Sequence, residues 1–279
     1  MKDTWFLVDS GHCSPAFNMA LDEALLNWHS AGKIPPVLRF YGWKPAGISI
    51  GFFQKVDGQI DLEGARNYGV ELVRRQTGGK AVLHDSELTY SVIVSEEHPD
   101  MPKTVKEAYL VLSKGLFEGY KELGIKAEFA MPKSEMAKKG SAVCFEEPSW
   151  YELVIDGKKA AGSAQTRKSG VILQHGSIPL EIDENKLFDL FLYPNEEVKQ
   201  RAREAFGNRA VAINDVLPHP ISFDEAKAAF KKGFEQGLDV ELIPFELPSL
   251  LLAEAQELEE KYKSEEWNYS RGRKEVRQS

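Results

Sequence analysis

Sulfur is scarce in this sequence. Only two cysteines, Cys13 and Cys144, occur in 279 residues, far apart and in no CxxC pattern. A disulfide framework or a zinc site needs more thiols or a Cys/His cluster, so neither is expected. Apolar runs are short as well: none approaches the roughly 20 residues needed to cross a bilayer. The opening Met1-Lys2-Asp3-Thr4-Trp5 lacks the shape of a signal peptide. Two free thiols suit a reducing compartment, so the expectation is a cytoplasmic protein with no membrane partner. Basic excess is also missing, since 35 Lys and Arg stand against 43 Asp and Glu for a formal charge of −8. Nucleic-acid binders draw affinity from neutralising phosphates, so no nucleic-acid partner is expected. No P-loop spacing, serine nucleophile elbow, internal repeat or Pro/Ser-rich linker occurs.

What is present is an ordinary globular balance, 42% apolar and 28% charged. A helix is expected from Ser14-Pro15, where serine caps and proline tolerates the first turn. Phe17, Ala20, Leu21, Ala24, Leu25 and Trp28 form its apolar stripe, and Asn18, Asp22, Glu23 and Asn27 its other face. Strand-like runs follow at 37–43, 48–53, 70–75 and 87–95. Thr104 with Glu107 opens a second helix as a capping box, and Gly124 ends it. The polar stretch 131–141 reads as a mobile loop that delivers the chain to Cys144. Residues 150–155, Asp156-Gly157 and 158–164 read as a hairpin, and Lys168-Ser169-Gly170 turns the chain into 171–180. Helices are expected at 185–192, 222–236 and 250–263. The pattern is α+β, a central mixed β-sheet flanked by helices. The simplest parse is a catalytic domain over 1–220, a C-terminal helical extension packed on it over 221–270, and a flexible tail at 271–279.

Three segments carry candidate chemistry. In Arg74-Arg75-Gln76-Thr77-Gly78-Gly79-Lys80-Ala81-Val82-Leu83-His84-Asp85, paired glycines after a strand let the backbone approach a ligand, with cations alongside. An ordinary hairpin turn explains Gly78-Gly79 as well. His84 fits a general base near neutrality or a hydrogen-bonded structural residue, and His175 has the same ambiguity. Cys144 sits just before a strand, where a thiolate could accept an acyl group, although a free thiol with a pKa of roughly 8.5 needs help to ionise. Lys159, across the Asp156-Gly157 turn, could supply that charge or be a solvated edge-strand lysine.

Together, Arg74–Asp85, Ala142-Val143-Cys144-Phe145 and Gly157-Lys158-Lys159-Ala160-Ala161-Gly162-Ser163-Ala164-Gln165 resemble the biotin/lipoate protein ligase family. Within it they are most similar to octanoyltransferases with a cysteine in an SSVCF-like segment. The run 14–23 and Glu266-Trp267-Asn268-Tyr269 extend the likeness over nearly the whole chain. The resemblance implies the catalytic-domain fold of that family, with a ligand held over the Gly-Gly turn. It implies octanoyl–acyl carrier protein as donor and the glycine cleavage H protein, or a related lipoyl domain, as acceptor. It carries a nucleophile to Cys144 and an activating cation to Lys159. Substrate contacts fall to Arg74, Arg75, Thr77, Gly78, Gly79, His84, Gly162, Ser163 and Ala164. No metal and no cofactor are required. Arg74, Arg75, Lys158, Arg167 and Lys168 are expected to form a positive rim for an acidic carrier. Two departures stand out, Lys80 after the Gly-Gly pair and the extra thiol of Cys13. Rival activities are an ATP-dependent lipoate–protein ligase, an octanoyl amidotransferase between lipoyl domains, and a non-catalytic acyl-binding regulator.

Overall fold

The structure is a computed structural model, and residues 2–130 and 152–269 are described. The expected loop at 131–141, Cys144 and the 271–279 tail lie outside the described residues. In the first half, β1 (Asp3–Cys13) leads into α1 (Pro15–Ser30), then β2 (Val37–Trp43), β3 (Gly47–Ile50), α2 (Leu62–Asn67) and β4 (Glu71–Arg74). Next come β5 (Val82–His84), β6 (Glu87–Ser95), α3 (Val105–Glu122) and β7 (Glu128–Phe129). Past residue 151 the chain forms β8 (Leu153–Ile155), β9 (Lys158–Lys159), β10 (Gly162–Lys168) and β11 (Val171–Pro179). It continues through α4 (Glu184–Asp189), α5 (Glu196–Phe206), α6 (Ile213–Val216) and α7 (Phe223–Gly237). β12 (Val240–Pro244), α8 (Ser249–Lys263) and α9 (Glu265–Tyr269) complete the described chain.

Local chemistry starts these elements as the sequence implies. Ser14 accepts from Phe17 N at 3.2 Å with Pro15 in the first turn of α1, and Thr104 accepts from Glu107 N to start α3. Ser222 and Glu225 cap α7 reciprocally. Asp156 and Gly157 both take positive φ, 50° and 77°, in the tight turn from β8 to β9.

Six strands form the main sheet in the order β10-β11-β6-β2-β1-β12. Pairing is antiparallel from β10 to β2 and parallel on to β1 and β12, so the sheet is mixed. Alternation sends Leu38, Phe40, Tyr90 and Val92 to one face, where α3 and α7 cover them. The other face meets α1, which packs against α8. A small sheet, β4-β3-β5, carries the Gly-Gly segment between two of its strands.

Two features go beyond the sequence pattern. The 221–270 segment supplies an edge strand, β12, and Phe230 and Phe234 of α7 fill the core beside Phe40 and Tyr90. Beside the helices α7 and α8, this segment thus contributes a strand to the sheet and side chains to its core. The polar face of α1 is also buried: Asn18, Asp22 and Glu23 are each under 5% exposed. Burial is tolerated because they meet Arg39, Lys168, Lys261 and Tyr262. Among the described residues, no helix is long and apolar enough to cross a membrane.

Candidate active site

A cleft of about 460 Å³, counting its open mouth, lies between the 75–84 segment and the β10–β11 edge. Met19 on α1, Tyr41 and Trp43 on β2, Val82 on β5 and Gly162, Ser163 and Ala164 on β10 line it. Its walls are mostly apolar, as ligand pockets generally are, and that lining suits an alkyl chain. Its narrow floor depends on Gly176. A Cβ there would stand 2.5 Å from Ser163 Oγ and 2.7 Å from Gly162 O. Gln174 donates to Tyr90 Oη at 3.0 Å, which directs the tyrosine hydrogen to Ser163 Oγ at 2.8 Å. Burial pushes the Tyr90 phenol up to about 12, so it stays protonated at neutral pH.

Polar groups frame this apolar slot. Arg75 donates to Ser49 O, Ser49 Oγ, Thr77 Oγ1, Gly78 O and Lys80 O at 2.7–3.2 Å. It lines the cleft with Gly79 and His84. His84 stacks on Trp43 at 4.0 Å, with Nε2 2.7 Å from Ser49 Oγ and Nδ1 2.8 Å from Glu87. His175 also lines the cleft, with Nε2 2.7 Å from Thr77 Oγ1 and Nδ1 3.6 Å from Asp22. Burial holds the His175 imidazole below its ordinary pKa, against the opposing pull of Asp22. Burial works to raise the Asp22 carboxyl, but Arg39 at 2.7 Å and His175 outweigh it and hold it below the usual carboxylate range.

Other expected contacts fall elsewhere. Arg74 is fully buried and serves as a clamp. Its guanidinium donates to Gly51 O, Phe52 O and Gln54 O, and to Trp267 O and Asn268 O. The Trp267-Asn268 pair thus braces the 51–54 loop. The positive rim is corrected accordingly. Arg74 and Arg75 are under 5% exposed, Lys158 donates to Gly207 O, and Arg167 and Lys168 pair with Glu96 and Glu23. Thr77 and Gly78 stand behind the cleft wall, joined to it through His175 and Arg75.

Lys159 is not a surface lysine. It is 1% exposed, and its ammonium lies 2.6 Å from Glu152 Oε1, three residues before Gly162 enters the cleft wall. A buried ammonium needs a counter-charge, and Glu152 brings it. Glu152, Glu87, Ser49 and Asp22 were not singled out by sequence reasoning. An acidic residue at the foot of the Asp156-Gly157 hairpin, in register with the lysine's side, was the signal for Glu152. Cys144 itself lies outside the described residues. Cys13 is half-buried with Sγ 3.3 Å from Ser10 O, and burial pushes its thiol up, away from the reactive thiolate form.

Residues 14–235 match the family profile of the lipoyl protein ligase A/B catalytic domain, and the chain belongs to that family. Within the family it is of the LipM type. It is 59% identical over 276 residues to Octanoyltransferase LipM of Anoxybacillus flavithermus, covering 97% of this chain and 99% of the relative. Octanoyltransferase LipM of Bacillus subtilis is 58% identical over the same coverage. Among solved structures, the fold is similar to a bipartite lipoate protein ligase from Thermoplasma acidophilum, described with its E2 lipoyl domain. That match has a TM-score of 0.79 and 26% identity, covering 99% of each chain.

Proposed function

We propose that this chain, an acyltransferase of the LipM type, moves an octanoyl group from octanoyl–acyl carrier protein to a lysine of the glycine cleavage H protein. The carrying intermediate is a thioester on Cys144. The Cys144 thiolate attacks the donor carbonyl, the tetrahedral oxyanion collapses, and the phosphopantetheine thiolate leaves. The neutral lysine amine of the acceptor then attacks the acyl-enzyme, forms the amide and releases the Cys144 sulfur. The proton lost by the amine goes to that departing sulfur. Lys159 supplies positive charge to the thiolate and the oxyanion, with Glu152 as its buried counter-ion. The apolar cleft beside Gly162 and Gly79 takes the alkyl chain.

The observation that carries this reading is the combination of an apolar slot with a buried Lys159 three residues from its wall, in a chain 58–59% identical to octanoyltransferases over 97% of its length. The lipoyl-domain class of acceptor is supported by the similarity to a ligase described with its E2 lipoyl domain. Lys159→Ala moves the pH profile of Cys144 alkylation by iodoacetamide to higher pH, because the thiolate loses its cation. An unmoved profile removes Lys159 from this role. Cys144→Ala abolishes transfer to the H protein, whereas Cys13→Ala keeps it. Attachment of free octanoate or lipoate only when ATP is added would favour the ligase reading. Transfer from an octanoylated lipoyl domain but not from the carrier would favour the amidotransferase.

A further inference from the structure

Two buried polar chains around the cleft meet on one side chain. In the first, Arg75 Nη1 is 3.0 Å from Ser49 Oγ, which is 2.7 Å from His84 Nε2, whose Nδ1 is 2.8 Å from Glu87. In the second, Arg75 Nε is 3.2 Å from Thr77 Oγ1, which is 2.7 Å from His175 Nε2, whose Nδ1 is 3.6 Å from Asp22. The order of hydrogens follows from donor chemistry. A guanidinium only donates and a carboxylate only accepts, so a neutral ring facing the carboxylate with Nδ1 carries its hydrogen there, and Nε2 accepts from the hydroxyl that receives from Arg75. Nε2 is then an acceptor, and the ring hydrogen sits on Nδ1, aimed at a carboxylate. Both chains run the same way, and both end on acidic groups that are at least 95% buried.

The far side of the same guanidinium grips the glycine turn. Nη2 donates to Gly78 O at 2.7 Å and to Lys80 O at 2.8 Å. Gly79 between them has φ of +96°, and a Cβ on it would stand 2.7 Å from Arg75 Nη2. Gly51 presses on the Gly79 carbonyl from the other side, where a Cβ would overlap it. Gly79 lines the cleft, so the seat of this turn decides how its backbone meets a bound acyl group.

We propose that Glu87–His84–Ser49 and Asp22–His175–Thr77 are paired positioning relays that hold Arg75, and through it the Gly78-Gly79 turn, in the place that receives the thioester carbonyl. This rests on the acyl-transfer reading above. The two histidines are orienting groups here, since the Nε2 lone pair of each is taken up by a hydroxyl. A turn that must hold donors to a fraction of an ångström needs a rigid support, and the branched set of hydrogen bonds from the Arg75 guanidinium gives it.

Thr77 offers a clean test because it is fully buried and carries one methyl and one hydroxyl. Thr77→Val keeps the shape and removes the relay hydroxyl, whereas Thr77→Ser loses the methyl and keeps the relay. The single-turnover rate of cysteine acylation by octanoyl–acyl carrier protein should fall about tenfold or more in Thr77→Val, below the 10²–10³ loss of a direct oxyanion donor. Thr77→Ser should recover most of that loss. A Thr77→Val enzyme as fast as Thr77→Ser, or faster, overturns the proposal. Nitrogen-15 spectra of the imidazoles in the unmodified protein supply the second measurement. At mildly alkaline pH, His84 and His175 should both show the Nδ1–H tautomer, and an Nε2–H form for either overturns its relay. The spectrum needs no donor, so it decides the relays even if the carrier proves not to acylate the protein.

Discussion

Arg39 lies in the interior with no exposed surface, so its charge depends on what α1 brings to it. Asp22 accepts from Arg39 at 2.7 Å and from Ser91 at 2.8 Å, and Asn18 accepts through both its side chain and its carbonyl. Asp22→Asn would leave the guanidinium without its counter-charge, which typically costs about 3–5 kcal/mol. The urea midpoint should fall by that loss divided by the slope of the transition, with the slope itself unchanged, and an unmoved midpoint would contradict the account. The sequence shows why such residues are hard to read. Asn18, Asp22 and Glu23 share the polar side of an amphipathic helix, and the period that marks the apolar stripe assigns their side to solvent by default. Only the strand carrying Arg39 reveals that this side is covered too. Lys159 is the reverse case: a lysine in a short edge strand reads as solvated, and Glu152 across the turn is what makes its burial possible.

At the level of elements, α3 and α7 approach so closely that glycines replace side chains at their contact. A Cβ on Gly233 would overlap the backbone of Gly119, and one on Gly119 would overlap the Phe230 ring. Gly233→Ala must push the helices apart, and overpacking of this kind costs about 1–3 kcal/mol. In thermal unfolding that corresponds to a loss of about 2–12 °C, taking 2–4 °C per kcal/mol for a domain of 150–250 residues. A Gly233→Ala protein with an unchanged melting temperature would show the helices less tightly packed than described. Helix starts and tight turns were legible because caps and Asp-Gly act within a few residues. Ser14, Thr104, Ser222 and Asp156-Gly157 all behave as their local chemistry demands. β12 was not legible, because Val240–Pro244 is short and half-exposed and becomes a strand only by pairing with β1, more than 200 residues earlier. The Arg75 relays belong to the same class. Ser49, Thr77, His84 and His175 are scattered along the chain, and only the approach of the small sheet to β11 brings them together.

For the whole molecule, the buried acid–base groups set how stability changes with pH. Burial places the His175 pKa below its ordinary value of 6.5, so the folded protein binds this proton less readily than the unfolded chain does. Its contribution is complete above that value and is lost as pH falls toward the folded pKa. Asp22 is also depressed, from 3.8, and its contribution fades only at still lower pH. Melting temperature should therefore decline first in mildly acidic buffer, and His175→Gln should flatten that first decline. A variant with the same slope as the parent would rule out His175 as its source. The claim on which the rest depends is that one sulfur carries the acyl group between two proteins. Intact-mass measurement after mixing the protein with octanoyl–acyl carrier protein, with no ATP present, tests it most directly. The account predicts a single octanoyl adduct that peptide mapping places on Cys144 and that disappears in Cys144→Ala. An adduct that survives in Cys144→Ala, or transfer to the H protein with no adduct formed, would contradict it.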